Sequence, residues 1–133
     1  MCFCFCAAVS VSVLPLKRGQ SPLETLPLSA DDTKSFLQYL ELVTETVREF
    51  FKNTYHLHVT SFHSDTFKCN VFSVDALDKF WNDLENGSAR INFEKALDLC
   101  ETDPTILLEF SAREYFKAKE FFDSLDIAQS HQR

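Results

Sequence analysis

The chain has 133 residues, 45% of them hydrophobic, with 14 Phe, only 2 Gly and 4 Pro, and a formal charge of −7. That length carries one domain with a core large enough to fold without metal or disulfide, and the composition excludes a disordered or collagen-like chain. The acidic balance repels phosphate and argues against sequence-independent nucleic-acid binding.

Cysteines stand at Cys2, Cys4, Cys6, Cys69 and Cys100, an odd count of 5 with no CxxC pair. A disulfide framework would leave one thiol over, which points to a reducing, cytoplasmic compartment. The opening stretch, MCFCFCAAVSVSVLPL, has no Lys or Arg before it, and Lys17-Arg18 follow it. It therefore lacks the basic leader of a secretory signal. Positions 2–16 also fall short of the ~20 apolar residues of a spanning helix, so no stable membrane insertion is expected. In a strand, Cys2, Cys4 and Cys6 would be spaced ~6.6 Å apart, too far to share one zinc at ~2.3 Å. Palmitoylation of these cysteines is an alternative. Val9, Val11 and Val13 alternate with Ser10 and Ser12, which predicts a first strand over about 4–14, ended by Pro15.

Residues 15–28 carry Pro15, Pro22 and Pro27 and read as a connector. A helix follows over 29–53. Ser29 and Asp32 resemble a capping box. Phe36, Leu37, Leu40, Val43, Val47, Phe50 and Phe51 form its apolar stripe, and Glu41, Glu45, Arg48, Glu49 and Lys52 its polar face. YHLHVTSF (55–62) and TFKCNVFS (66–73) alternate and are joined by His63-Ser64-Asp65, so they predict a β-hairpin. The next segment is helical with a break at Asn86-Gly87 and a new cap at Ser88. Leu77, Phe80, Trp81 and Leu84 line its first piece, and Ile91, Ala96, Leu97 and Cys100 its second. TILLEFS (105–111) predicts a buried strand. The closing helix places Tyr115, Phe116, Phe122 and Leu125 on one side, and 128–133 read as a frayed tail.

The order is β-α-β-β-α-β plus a helix. It predicts one α+β domain over 1–133, a ferredoxin-like sandwich with a four-stranded antiparallel sheet and helices on one face. The other face is left to solvent or a partner, and such a face could also pair with itself.

His56-x-His58 in a strand would put two imidazoles on one face, with His63 or Cys69 as a further metal ligand across the hairpin. The plainer expectation is that both histidines occupy the polar face. Cys69 and Cys100 are the thiols that could act as nucleophiles, but a reactive thiol needs a base or cation beside it, and Cys100 falls on an apolar stripe. Phosphate-cradling loops, nucleophile elbows and HExxH signatures are all missing from the chain. An RNA-recognition sheet would need stacking aromatics on one face, and Phe67 and Phe72 alternate onto opposite faces. A non-enzymatic domain without cofactor or metal is expected. The competing expectation is a small metal- or thiol-dependent enzyme using His56, His58, His63 and Cys69.

From the hairpin onwards, FHSDTFKCNVFS, FWNDLENGSARINFEKAL and DPTILLEFSARE resemble the TRADD-like N-terminal domains, the family of the TNF-receptor-associated death-domain adaptor. The resemblance rests on His63, Ser64 and Asp65 at the turn, Phe80 seven residues before Gly87, Leu97 ten residues after it, and a Pro104-led strand with Leu108-Glu109. It covers about residues 57–127. It implies an α/β sandwich that acts as an adaptor in death-receptor or innate-immune signalling. The implied partner is a TRAF-C domain, held through the hairpin turn and sheet edge. His63 would then be a polar anchor, Ser64 a hydrogen-bonding partner, and Phe67 or Cys69 the apolar contact, with Phe62 beside it.

Overall fold

In a computed structural model the described residues are 6–18, 25–99 and 104–131. The first strand, β1 (Ala7–Arg18), is longer than expected and runs through Pro15. Its expected start at positions 4 and 5 lies outside the described residues. A short strand, β2 (Thr25–Pro27), occupies what was read as connector. Then come α1 (Ala30–Leu42), α2 (Thr44–Tyr55), β3 (Leu57–His63), β4 (Thr66–Val71), α3 (Val74–Asn86), α4 (Ser88–Ala96), β5 (Thr105–Phe110) and α5 (Ala112–His131). The architecture is α+β with a five-stranded antiparallel sheet, not a four-stranded one. The extra strand is β2. The expected tail at 128–133 is helical as far as His131.

Register explains why Pro15 is tolerated mid-strand. Val11 pairs with Phe67 of β4 and Phe110 of β5, and Leu16 pairs with Pro27 of β2 and Thr105 of β5. So β5 holds one edge of β1, while β4 and β2 follow one another along the other. The Val13 N–H donates to the Asp65 carbonyl (2.8 Å) on the β4 edge. Two residues on, the Pro15 nitrogen faces the same edge, in the gap where β4 has ended and β2 begins. The donor that proline lacks is one the ladder does not use there. Meanwhile its side chain continues the buried row of Val9, Val11 and Val13.

That row, with Phe67, Cys69 and Val71 of β4, Leu57 of β3, and Ile106 and Leu108 of β5, forms the sheet's contribution to a single core. The helices cover this face with Phe36, Leu40, Val47, Phe50, Phe51, Tyr55, Leu77, Phe80, Phe93, Tyr115 and Phe122. Six of the rings, Phe50, Phe51, Tyr55, Phe67, Phe80 and Phe93, form a connected edge-to-face and tilted cluster. Such offset geometry matches the aromatic quadrupole and adds to the area buried. Among the described residues no buried side-chain N or O lacks a hydrogen-bond partner.

The expected helix over 29–53 is two helices. Ser29 caps the first, accepting from the Asp32 N–H (3.1 Å). Val43 leaves helical geometry (φ −108°, ψ 28°). The Thr44 hydroxyl bonds back to the carbonyls of Glu41 (2.7 Å) and Leu40 (3.3 Å). Back-bonding of this kind competes with the helical ladder and bends it. The apolar stripe survives the break and stays in the core. His56 then closes α2 in the left-handed conformation (φ 54°), so neither it nor Tyr55 belongs to the hairpin.

Two other helical faces differ from expectation. On α4 the buried positions are Ala89 and Phe93, followed by Leu97 at its C-cap, while Ile91 and Ala96 are exposed. Cys100 lies outside the described residues. On α5, Tyr115, Ala118 and Phe122 face inward, and Phe116 is 59% exposed. The break at Asn86-Gly87 is present: Gly87 takes a left-handed φ of 85° between α3 and α4.

Candidate functional site

The hairpin joins β3 to β4 through two residues, Ser64 and Asp65, with His63 and Thr66 paired at its base. Two-residue hairpin loops need a positive φ to follow the twist of their strands. Here Ser64 supplies it (φ 59°) without being glycine. The turn is tied down from below. The Asp65 carbonyl accepts from Val13, the Asp65 carboxylate accepts from the Thr66 hydroxyl (3.0 Å), and the Thr66 and Ser12 hydroxyls lie 3.4 Å apart. The loop therefore sits as an extension of β1.

Ser64 also lines a cleft of about 500 Å3 whose other wall is α1, through Thr33, Lys34, Leu37, Gln38 and Glu41. Apolar surface in it comes from the half-buried Leu37, and a cation and an anion stand at Lys34 and Glu41. The sequence-based reading missed α1 as part of this surface. Leu37 belongs to the apolar stripe and packs partly against the core, and only its place about a quarter-turn round the helix from Phe36 signals that it also reaches the cleft.

The residues singled out in the sequence divide between two faces of the sheet. His63 and Ser64 are exposed at the turn. Phe67 and Cys69 are not available as partner contacts. Phe67 is wholly buried, stacked on Phe62 (4.2 Å between centroids, 24°) and tilted against Phe51 (5.7 Å). Cys69 faces the core beside it, and burial pushes its thiol up to about 12. A thiol held there stays protonated at neutral pH and is no nucleophile. Phe62 is half-buried and carries the stack toward the surface.

The histidines do not assemble either. His56 is the cap of α2. His58 lies on the open sheet face, edge-on to the Phe72 ring (5.0 Å, 89°). Cys69 points to the opposite face, so the expected His56, His58, His63 and Cys69 group is divided by the sheet itself. Among the described residues no group of three or more His, Cys, Asp or Glu is placed to hold a metal ion. No described helix is long and apolar enough to cross a membrane.

Two of the three strands with a free edge, β3 and β5, carry features that discourage strand addition; the third, β2, is only three residues long. Edge strand β3 is interrupted by a register shift between Val59 and Ser61, and the Thr60 hydroxyl bonds across to the Lys68 carbonyl (3.1 Å). On β5, the Glu94 carboxylate accepts from the Ile106 N–H (3.0 Å) and the Thr105 hydroxyl (2.7 Å). Bulges and charged groups at an edge are the usual means of blunting it. The chain matches no family model, and no curated protein or solved structure is significantly similar to it.

Proposed function

We propose that this chain is a non-enzymatic, cytoplasmic docking domain that holds a protein partner at the hairpin turn and the cleft beside it. The observation that carries this reading is the turn itself. His63 and Ser64 are exposed on a loop anchored to β1, and Ser64 opens onto the cleft made with α1. A rigid projecting turn lowers the ordering cost that a flexible loop would add to binding. The β5-β1-β4-β3 order of the long strands supports a ferredoxin-like sandwich. With the sequence resemblance, it supports a TRADD-like adaptor role in death-receptor or innate-immune signalling, and a TRAF-C domain as the partner to try first. In this reading His63 is the polar anchor and Ser64 a hydrogen-bonding partner. Leu37 and Phe62 take the apolar contact in place of the buried Phe67 and Cys69.

The test is a calorimetric titration of the folded chain with a TRAF-C domain, beside His63→Ala and Lys34→Glu. Micromolar binding is expected, with each variant weakened about tenfold, the effect of losing one central anchor (~1.4 kcal/mol). Absence of heat from a folded chain removes this partner. Unchanged affinity in both variants moves the surface elsewhere.

A further inference from the structure

A second cleft, of about 440 Å3, opens where β1 and the end of β5 meet α3 and the start of α5, and it shares no lining residue with the cleft beside the turn. Its walls combine two kinds of group. Trp81 and Phe110 supply aromatic surface. They are held edge to face at 5.9 Å, and the Trp81 indole also stacks on Tyr115 (4.5 Å, 13°). Three carboxylates, Glu85, Glu109 and Glu114, stand around them, and among the described residues that line the cleft there is no Lys, Arg or His. None of the three forms an ion pair among the described residues. Glu114 is the one with a structural task. It accepts from the Ser10 N–H (3.4 Å) at the point where β5 has ended and β1 has lost its neighbour on that edge. Glu85 and Glu109 are exposed and carry no such duty.

We propose that this cleft receives an arginine side chain from a protein partner. A planar, weakly hydrated cation is what the two kinds of wall have in common. The guanidinium face stacks on an indole, and its edge forks onto carboxylates two N–H groups at a time. A lysine ammonium would gain the charge but neither the plane nor the fork. Like-charged carboxylates gathered around a cleft with no cation among its described lining also focus a negative potential on it, which attracts a basic partner segment. None of the residues substituted to test this cleft lines the cleft beside the turn, so the two proposals stand or fall independently.

Trp81 is the chain's 1 tryptophan, and its fluorescence reads the cleft directly. The full chain would be titrated with acetyl-Ala-Arg-Ala amide, with the lysine peptide, and with the citrulline peptide, which keeps the shape and removes the charge. The expected result is a saturable change in Trp81 emission with the arginine peptide, at least fivefold weaker with lysine and absent with citrulline. The double variant Glu85→Gln/Glu109→Gln should weaken the arginine response at least fivefold. Asp31→Asn/Glu45→Gln, which removes the same charge from the α1 and α2 surface, should leave it unchanged. A flat titration overturns the proposal, as does an equal response to citrulline. An equal loss in both double variants would reduce the effect to net charge and overturn it too.

Discussion

Cys69 sits between Lys68 and Asn70 on β4, and strand alternation turns its thiol inward while both polar neighbours face out. Burial raises that thiol from an ordinary value of 9.0 to about 12. In the unfolded chain it ionises near 9; in the folded chain it does not. Below pH 9 both states are protonated and the group adds nothing to pH dependence. Between about 9 and 12 the unfolded state sheds its proton first, so stability falls as pH rises through that window. Native protein treated with iodoacetamide at pH 8 should therefore leave Cys69 unmodified in peptide mass spectra, and denaturant should release it. Rapid native labelling of Cys69 would contradict its placement in the core. Ser64 offers the opposite test. It holds a left-handed φ of 59° without glycine, which costs a side-chain-bearing residue about 1 kcal/mol. Ser64→Gly should raise the urea midpoint by the equivalent of up to ~1 kcal/mol, less whatever glycine loses in unfolded-state entropy. The same change removes the hydroxyl and, on the docking role proposed for the turn, should weaken partner binding.

At the scale of elements, the two helix breaks contrast in how far the sequence announces them. Asn86-Gly87 is a stop written in residue types, because glycine takes left-handed geometry freely; the expected cap at Ser88 is not made, since Ser88 is already the first residue of α4, its N–H donates to the Asn86 side chain, and Gly87 holds the cap position. Val43-Thr44 carries no such signal. The break depends on the Thr44 hydroxyl finding the Glu41 and Leu40 carbonyls, and that choice is made once Val47 and Phe51 dock in the core. The same limit hid β2, whose pairing depends on an edge of β1 left vacant by β4. It also hid the cleft at Ser64, which needs α1 to lie beside a turn about thirty residues away in sequence. The hairpin, by contrast, was legible because alternation and loop chemistry agree locally. So were its exposed His63 and Ser64, whereas Phe67 and Cys69 fall on the buried side of that same alternation. Gly87 isolates the conformational term: a Cβ there would meet nothing within 4 Å. Gly87→Ala should therefore cost about 1 kcal/mol from φ alone, and Gly87→Asn less, because asparagine tolerates the left-handed region. Equilibrium urea unfolding of the three proteins measures both. Equal losses would mean that something other than φ is being read.

For the molecule as a whole, the helix layer and the sheet are held together by aromatic rings more than by any polar network. Phe51 is wholly buried and touches the rings of Phe50, Phe67, Phe80 and Phe93 at 5.2–6.0 Å. It thus joins α2 to β4, α3 and α4 in one contact set. Phe51→Ala removes those contacts and leaves a cavity that four stiff neighbours cannot close, a loss of about 3–5 kcal/mol. Domains of this kind have about 5–15 kcal/mol in total, so one truncation takes about a fifth of it or more. Phe116, 59% exposed on α5, has no such role, and Phe116→Ala should stay within about 0.5 kcal/mol of the parent. Urea unfolding of the two variants checks the pair with chemistry held constant. Similar losses would place the centre of the core elsewhere. The contrast has a functional side. Because stability is concentrated in rings that face inward, the outward residues at the turn and in both clefts can be changed while the fold persists. His63→Ala or Glu85→Gln/Glu109→Gln should then unfold at the parent's midpoint, and any loss of binding they cause is a loss of surface rather than of structure.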